Sequence, residues 1–218
     1  MVGRVPFGAL DPFPFPGVLM TELLESLPVY LALLASLLNL VRRQWTLNLI
    51  ALLVQFVCLF PILLKIMPLQ LALIHPFTGL MVTLILYLTL VGVGGIESVN
   101  LRRRLTSGEI FRGLAGIFLI ATLRAFVPQI EQAVFPTVSG NHLFLSLGLI
   151  LIGLLQLGTI REPFYLAIGV LTFLSGFELL YSALEFSFLL EALFVAVNLL
   201  LAIVGAFFIV KNAESEPA

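Results

Sequence analysis

Seven long apolar stretches dominate the sequence and restrict the chain to one kind of fold. They cover residues 23–41, 45–64, 69–94, 111–129, 143–160, 164–184 and 188–210. About 20 apolar residues in a helix cross a hydrocarbon core of ~30 Å, which is the length of these stretches. Hydrophobic residues make up 61% of the chain and charged residues only 11%, too few to cover a soluble surface. The sequence therefore predicts an all-α, polytopic integral membrane protein with about seven transmembrane helices.

Length and composition also limit the chemistry that the chain can perform. Seven spans joined by short turns use nearly all of the 218 residues, so we expect no separate soluble catalytic domain. The sequence contains no Ser/His/Asp set, metal-ligand spacing or nucleotide fingerprint, and the single cysteine, Cys58, excludes multi-thiolate sites. We predict no catalytic residue, cofactor or metal in this chain. The net charge of −1 gives no sign of a nucleic-acid partner, and no cleavable signal peptide is evident.

Loop lengths suggest how the helices are organised. Turns at 42–44, 65–68 and 161–163 are short, so the helices that they join should pack as antiparallel neighbours. The loops at 95–110 and 130–142 are longer. We predict, in order, an extended N-terminal arm (1–22), a three-helix front part (23–94), a cytoplasmic loop with a bridging helix (95–129), a three-helix back part (143–210) and a cytoplasmic tail (211–218).

Basic residues predict the orientation in the membrane, because cytoplasmic loops are enriched in lysine and arginine. An N-out, C-in topology puts most of the basic residues on the cytoplasmic side and leaves Arg4, Lys65 and Arg124 outside. The predicted cytoplasmic residues are Arg42, Arg43, Arg102, Arg103, Arg104, Arg112, Arg161 and Lys211. We interpret the run Arg102 to Arg104 as a topology signal in preference to a lipid-phosphate or partner-docking patch.

Two glutamates inside the last two stretches are the main functional candidates. An acidic side chain deep in a transmembrane helix is disfavoured by roughly 2.5 to 3.5 kcal/mol, so Glu178 and Glu191 call for a function. Both are predicted in the outer half of the membrane, where a hairpin would bring their helices together. Two neighbouring acids in a low dielectric do not both stay ionised, which predicts that the pair holds and passes protons. The alternative is that Glu178 is held by a hydrogen bond and that Glu185 and Glu191 reach headgroups.

Other polar residues are weaker candidates for the same path. Helical spacing puts Ser175, Tyr181 and Ser182 on a stripe with Glu178, and Asn198 on a face with Glu191. Gln55 is central in the second stretch, and His75-Pro76 is predicted to break the third, because Pro76 offers no N–H to the Ala72 carbonyl. His75 is either a packed hydrogen-bond partner or a proton relay, and Asn198 is either interhelical glue or part of the path. Gly79, Thr83 and Tyr87 repeat every four residues, which favours a close helix contact.

Residues from about Leu143 to Lys211 resemble the K subunit of respiratory complex I and the related C subunit of Mrp-type antiporters. The resemblance lies in Leu-Gly-Leu-Ile-Leu-Ile-Gly-Leu-Leu (147–155), the turn at Arg161, Gly-Phe-Glu-Leu-Leu-Tyr-Ser-Ala (176–183) and Glu-Ala (191–192). With its extra helices, the chain is similar to the longer membrane E subunit of hydrogenase-4 and formate hydrogenlyase-type complexes. The sequence departs from that subunit at Leu174, where an acid is expected, and at His75, where the family has lysine.

The resemblance implies a non-catalytic subunit of a multi-subunit oxidoreductase or antiporter assembly in the plasma or inner membrane. Its partners would be antiporter-like and redox-arm subunits, with lipid around it and redox cofactors in those partners. Glu178 and Glu191 would lie on the proton path. Two alternatives stay open: a free-standing ion-coupled transporter or channel, and a structural subunit without a path. Inverted repeats would favour the transporter, but the first three and last three helices are predicted to run in the same directions.

Overall fold

A computed structural model describes residues 16–94, 106–136, 138–185 and 187–215, with side chains from Ser26 onward. Its regular structure in these ranges is entirely helical, which confirms the all-α prediction. The helices are α1 (Pro16–Val41), α2 (Trp45–Leu63), α3 (Leu69–Ala72), α4 (Ile74–Gly92), α5 (Ser107–Ala133), α6 (Gly140–Thr159), α7 (Pro163–Leu184) and α8 (Phe188–Ser215). The predictions for residues 1–15 of the arm and for Arg102 to Arg104 lie outside the described residues.

Local sequence signals explain where several helices begin. Proline at the first position of α7 has a φ angle that suits a helix and lacks an N–H that would be unpaired there. α5 begins with a capping box in which Thr106 and Glu109 exchange hydrogen bonds. α1 begins at Pro16, so residues 16–22, predicted as part of an extended arm, are helical instead.

The third apolar stretch is interrupted, as predicted. α3 ends at Ala72 and α4 begins at Ile74, with Leu73 between them. Pro76 cannot donate to the Ala72 carbonyl, so the helix loses a hydrogen bond at this point. The interruption lies next to His75, whose side chain is only 2% exposed.

Within the described ranges, six helical segments are long and apolar enough to cross a membrane. They are Trp45–Leu63, Leu69–Gly92, Ser107–Ala133, Gly140–Thr159, Pro163–Leu184 and Phe188–Ser215. Ser26–Val41 of α1 is a shorter apolar helix. The fold is therefore that of a polytopic membrane protein, and the seventh span and the N-out orientation stay predictions.

The predicted front and back parts meet helix by helix. α1 packs on α6, α2 on α7 and α4 on α8, while α5 lies at the edge against α1 and α6. The most extensive contact joins α6 to α7. A Cβ at Gly176 would lie 2.7 Å from the Ser146 carbonyl oxygen, so glycine allows these two backbones to approach. The two parts consequently share one interior.

One end of the bundle contains several arginines, among them Arg43, which pairs with Glu162. We call it the arginine end. It contains the turns at 42–44 and 161–163 and the start of α5. Arg43 forms a salt bridge of 3.2 Å with Glu162, and its backbone N–H donates to Glu109. The opposite end, which we call the far end, contains α3, the start of α6 and the end of α7. The predicted grouping of Arg42, Arg43 and Arg161 at one side therefore holds.

Candidate functional site

Three helices bring together a buried cluster of His75, Glu178, Glu191 and Asn198. His75 follows the break before α4, Glu178 lies in α7, and α8 supplies Glu191 from its first turn and Asn198 from two turns further on. Glu178 and His75 are each six residues from the far end of their apolar segments, or about 9 Å at the helical rise. The cluster thus lies below the far end, inside the apolar part of the bundle.

The four side chains lie close together around Glu178. The Glu178 Oε1 lies 3.0 Å from His75 Nδ1, and its Oε2 accepts a hydrogen bond of 3.2 Å from Asn198 Nδ2. A carboxylate oxygen of Glu191 lies within 4.8 Å of the ligand atoms of both Glu178 and His75. His75 and Glu178 are 2% exposed, Glu191 is 5% and Asn198 is fully buried. The prediction that an α7–α8 hairpin joins the two polar faces is confirmed, and His75 joins them from the front part.

The packing of α2 against α4 fixes the position of the imidazole. Gly79 lies directly against the Phe56 side chain, so close that a Cβ at position 79 would overlap it. The Phe56 ring in turn lies 5.0 Å, centroid to centroid, from the His75 ring. The predicted close helix contact at Gly79 is confirmed, whereas Tyr87, predicted on the same contact, is exposed.

The cluster must neutralise its own charge. Among the residues that the structure describes, no lysine or arginine forms an ion pair with Glu178 or Glu191. Two buried carboxyl groups this close repel each other when both are charged; a proton on one removes the repulsion, and an imidazolium can balance the charge of the other. A buried charge without a partner is strongly unfavourable. The arrangement is therefore chemically able to hold protons and to exchange them among three adjacent groups.

The same donor atoms could approach one cation. The ligand atoms of His75, Glu178 and Glu191 lie within 4.8 Å of one another. However, His75 Nδ1 and Glu178 Oε1 are already each other's hydrogen-bond partners, so a cation would have to separate them. The geometry is that of a hydrogen-bonded network.

The other predicted path residues divide into two groups. Ser175 and Gln55 are fully buried, Ser175 one turn from Glu178 and Gln55 beside Phe56. Tyr181 does not belong to the cluster, because its hydroxyl donates to Glu185 at 3.2 Å at the exposed surface. The predicted stripe on α7 therefore splits, since residues three apart on a helix differ by about 60° in direction. Glu185 is exposed, as expected for an acid at the end of the helix.

Sequence reasoning missed two buried polar positions. His142, in the first turn of α6, donates from Nε2 to the Leu179 carbonyl at 2.6 Å and ties α6 to α7. Thr172 is fully buried and donates to Gln55 at 3.4 Å across 117 residues. Threonine within an apolar helix commonly bonds its own backbone, so Thr172 gave no local signal of an interhelical contact. His142 lies at the start of its apolar stretch, where a polar residue is ordinary.

Comparison of the chain with family models, curated proteins and solved structures finds no match. The fold and the cluster define the class by themselves: a polytopic α-helical membrane protein with a buried, ionisable His-Glu-Glu site among its helices.

Proposed function

We propose that this chain translocates protons as a membrane subunit of a complex-I-like energy-converting assembly. One observation carries the proton part of the proposal: the ligand atoms of His75, Glu178 and Glu191 lie within 4.8 Å of one another and are almost completely buried among the apolar helices. Intramembrane ionisable residues that pair with one another commonly mark ion pathways. When His75, Glu178 and Glu191 together carry two titratable protons, the cluster is electrically neutral. Gaining or losing one proton would leave a buried net charge unless a neighbouring group changed its charge at the same time.

The assembly part of the proposal rests on the resemblance of residues 143–211 to K-type and hydrogenase-type subunits. That family carries a glutamate in each of two adjacent helices, as this chain does with Glu178 and Glu191. The partners would be antiporter-like and redox-arm subunits, and this chain would contribute no redox centre.

A free-standing ion-coupled transporter is the second candidate. The observation that favours it is that α4, α7 and α8 of a single chain supply the whole cluster, so no partner residue is needed to complete it. Affinity purification from native membranes in mild detergent, followed by mass spectrometry, separates the two. Co-purifying antiporter-like and redox subunits support the assembly, whereas a lone chain or a homo-oligomer supports the transporter.

Proton translocation is tested with Glu178→Gln in whichever form the purification recovers. Liposomes containing a pH-sensitive dye report proton uptake, driven by the redox reaction of the complex or by an imposed potassium diffusion potential. We expect Glu178→Gln to abolish uptake, because an amide cannot carry the proton. Glu185→Gln is the matched control, since it removes an exposed acid seven residues along the same helix and should leave uptake unchanged. Normal uptake by Glu178→Gln would favour a structural subunit and contradict the proposal.

A further inference from the structure

Buried polar atoms without hydrogen-bond partners are concentrated between the cluster and the arginine end. At the cluster these atoms are His75 Nε2, Glu191 Oε1 and Asn198 Oδ1. Towards the arginine end they are Gln55 Nε2, Thr83 Oγ1, both side-chain atoms of Asn39, Asn48 Oδ1, Gln156 Oε1, Arg43 Nε and Arg112 Nε. The large majority of buried side-chain polar atoms in proteins have a hydrogen-bond partner, so such a concentration requires an explanation.

Bound water accounts for such a concentration. Interior waters typically make about three hydrogen bonds each to polar groups that lack other partners. Gln55 is fully buried, and its Nε2 donor points to no protein acceptor, although its Oε1 accepts from Thr172. The interior next to this pair therefore contains a donor that requires a water molecule.

The polar groups on α7 continue from this pair to the cluster in regular steps. Thr172, Ser175 and Glu178 follow one another at intervals of three residues, so each step rises by about 4.5 Å. All three side chains are buried. One water molecule bridges two polar atoms about 5.5 Å apart, because each of its hydrogen bonds is about 2.8 Å long. Residues three apart also differ by about 60° in direction, so roughly one or two waters are needed at each step. The Ser175 hydroxyl donates to the Leu171 carbonyl at 2.9 Å, and its oxygen can still accept a hydrogen bond from water.

On α2, the buried apolar residue Leu52 lies between the Gln55–Thr172 pair and the arginine end. Asn48, Leu52 and Gln55 are four and three residues apart and share one face of the helix. Asn48 Nδ2 donates to the Asn39 carbonyl at 3.2 Å, while its Oδ1 has no partner. Leu52 is fully buried between the two polar residues. It forms a dry barrier about one helical turn long.

On the opposite side of the cluster, the buried residues of α2 and α3 are apolar. Leu63, Met67 and Ala72 are at most 4% exposed and belong to one hydrophobic core. Their side chains offer no hydrogen-bond partner to water. On the far-end side, the buried polar side chains of α6 and α7, His142 and Ser182, both have hydrogen-bond partners. The unpartnered polar atoms beyond the cluster therefore lie towards the arginine end.

We infer that a chain of bound water along Gln55, Thr172 and Ser175 extends from the cluster towards the arginine end as far as Leu52, which separates it from the polar residues at that end. The presence of water follows from the unpartnered atoms alone. Its use as the route by which protons reach Glu178 rests on the proposed function.

Cysteine labelling tests the water chain without any transport measurement. In a Cys58→Ala background, Thr172→Cys in membrane vesicles of known sidedness is treated with 2-(trimethylammonium)ethyl methanethiosulfonate, whose permanent charge keeps it from crossing the bilayer. Arg161→Cys and Asn141→Cys report which vesicle face is the arginine end and which is the far end, since both residues are exposed. The matched control is Ile168→Cys, one turn away on α7 and buried in an apolar core.

We expect Thr172→Cys to react from the arginine end, roughly ten times faster than Ile168→Cys, because the reacting thiolate needs water. Labelling only from the far end overturns the inference, as does a rate equal to that of Ile168→Cys while the denatured protein labels fully. If Thr172→Cys does not fold, Ser175→Cys replaces it, since it exchanges one oxygen for sulfur.

The labelling experiment tests the water chain and the proton-uptake experiment tests the proposed function, so either can be refuted without the other. Absent labelling together with a proton-inactive Glu178→Gln refutes the water chain and leaves the proposed function standing. Labelling together with normal proton uptake by Glu178→Gln supports the water chain and refutes the proposed function.

Discussion

Removing the Glu178 carboxyl group should destabilise the folded protein substantially. In Glu178→Ala, both His75 Nδ1 and Asn198 Nδ2 lose their partner, and both residues are almost completely buried. Leaving one buried donor unpaired costs about 1 to 3 kcal/mol, so we expect a loss of about 2 to 6 kcal/mol in the free energy of unfolding. Glu178→Gln should lose less, because its amide oxygen still accepts one of the two bonds.

Unfolding of the purified protein in mixed dodecylmaltoside and sodium dodecyl sulfate micelles measures this difference. Glu185→Ala is the control, because that side chain is exposed and should leave the transition almost unchanged. If Glu178→Ala unfolds at the same detergent fraction as Glu185→Ala, the hydrogen-bonded cluster does not form, and the reasoning is refuted.

A double-mutant cycle isolates the contact between the front and back parts. His75→Leu alone leaves the buried Glu178 carboxyl group without its imidazole partner. Breaking a buried pair in this way typically lowers the free energy of unfolding by about 3 to 5 kcal/mol. His75→Leu combined with Glu178→Leu removes both polar groups and should be less destabilised than the single variants predict together. Strict additivity in the same unfolding assay would show that the two side chains do not interact.

Three further changes address the helices around the site. Gly176→Ala should destabilise by about 1 to 3 kcal/mol, because its Cβ meets the α6 backbone; Gly158→Ala, which meets nothing within 4 Å, is its control in thermal unfolding. Thr106→Ala removes the capping box and should cost about 1 kcal/mol, seen as faster amide exchange in the first turn of α5. Leu52→Ala should speed labelling of Thr172→Cys from the arginine end, and an unchanged rate would remove Leu52 from the barrier.

The sequence indicated all four residues of the cluster but not that His75 contacts Glu178. Glu178, Glu191 and Asn198 could be paired by reasoning, because α7 and α8 are joined by a turn too short to let them separate. His75 is 103 residues from Glu178, and no local pattern distinguishes a packed histidine from one that contacts a glutamate. Tyr181 was misplaced for a related reason: its position on the helix predicts a direction, while the neighbouring chain decides whether that direction is interior or surface.

By itself, the sequence determined the class, the helices and most of their ends. The apolar stretch predicted at 164–184 is the helix Pro163–Leu184, and the break before His75 follows from Pro76. These features depend on hydrophobic length and on the backbone of single residues, both of which are local. Only the tertiary structure decided that α4 meets α8, that His75 reaches Glu178 and that Thr172 reaches Gln55. Such contacts depend on which faces of distant helices pack together, and nearly uniform apolar helices carry little sequence information about that choice.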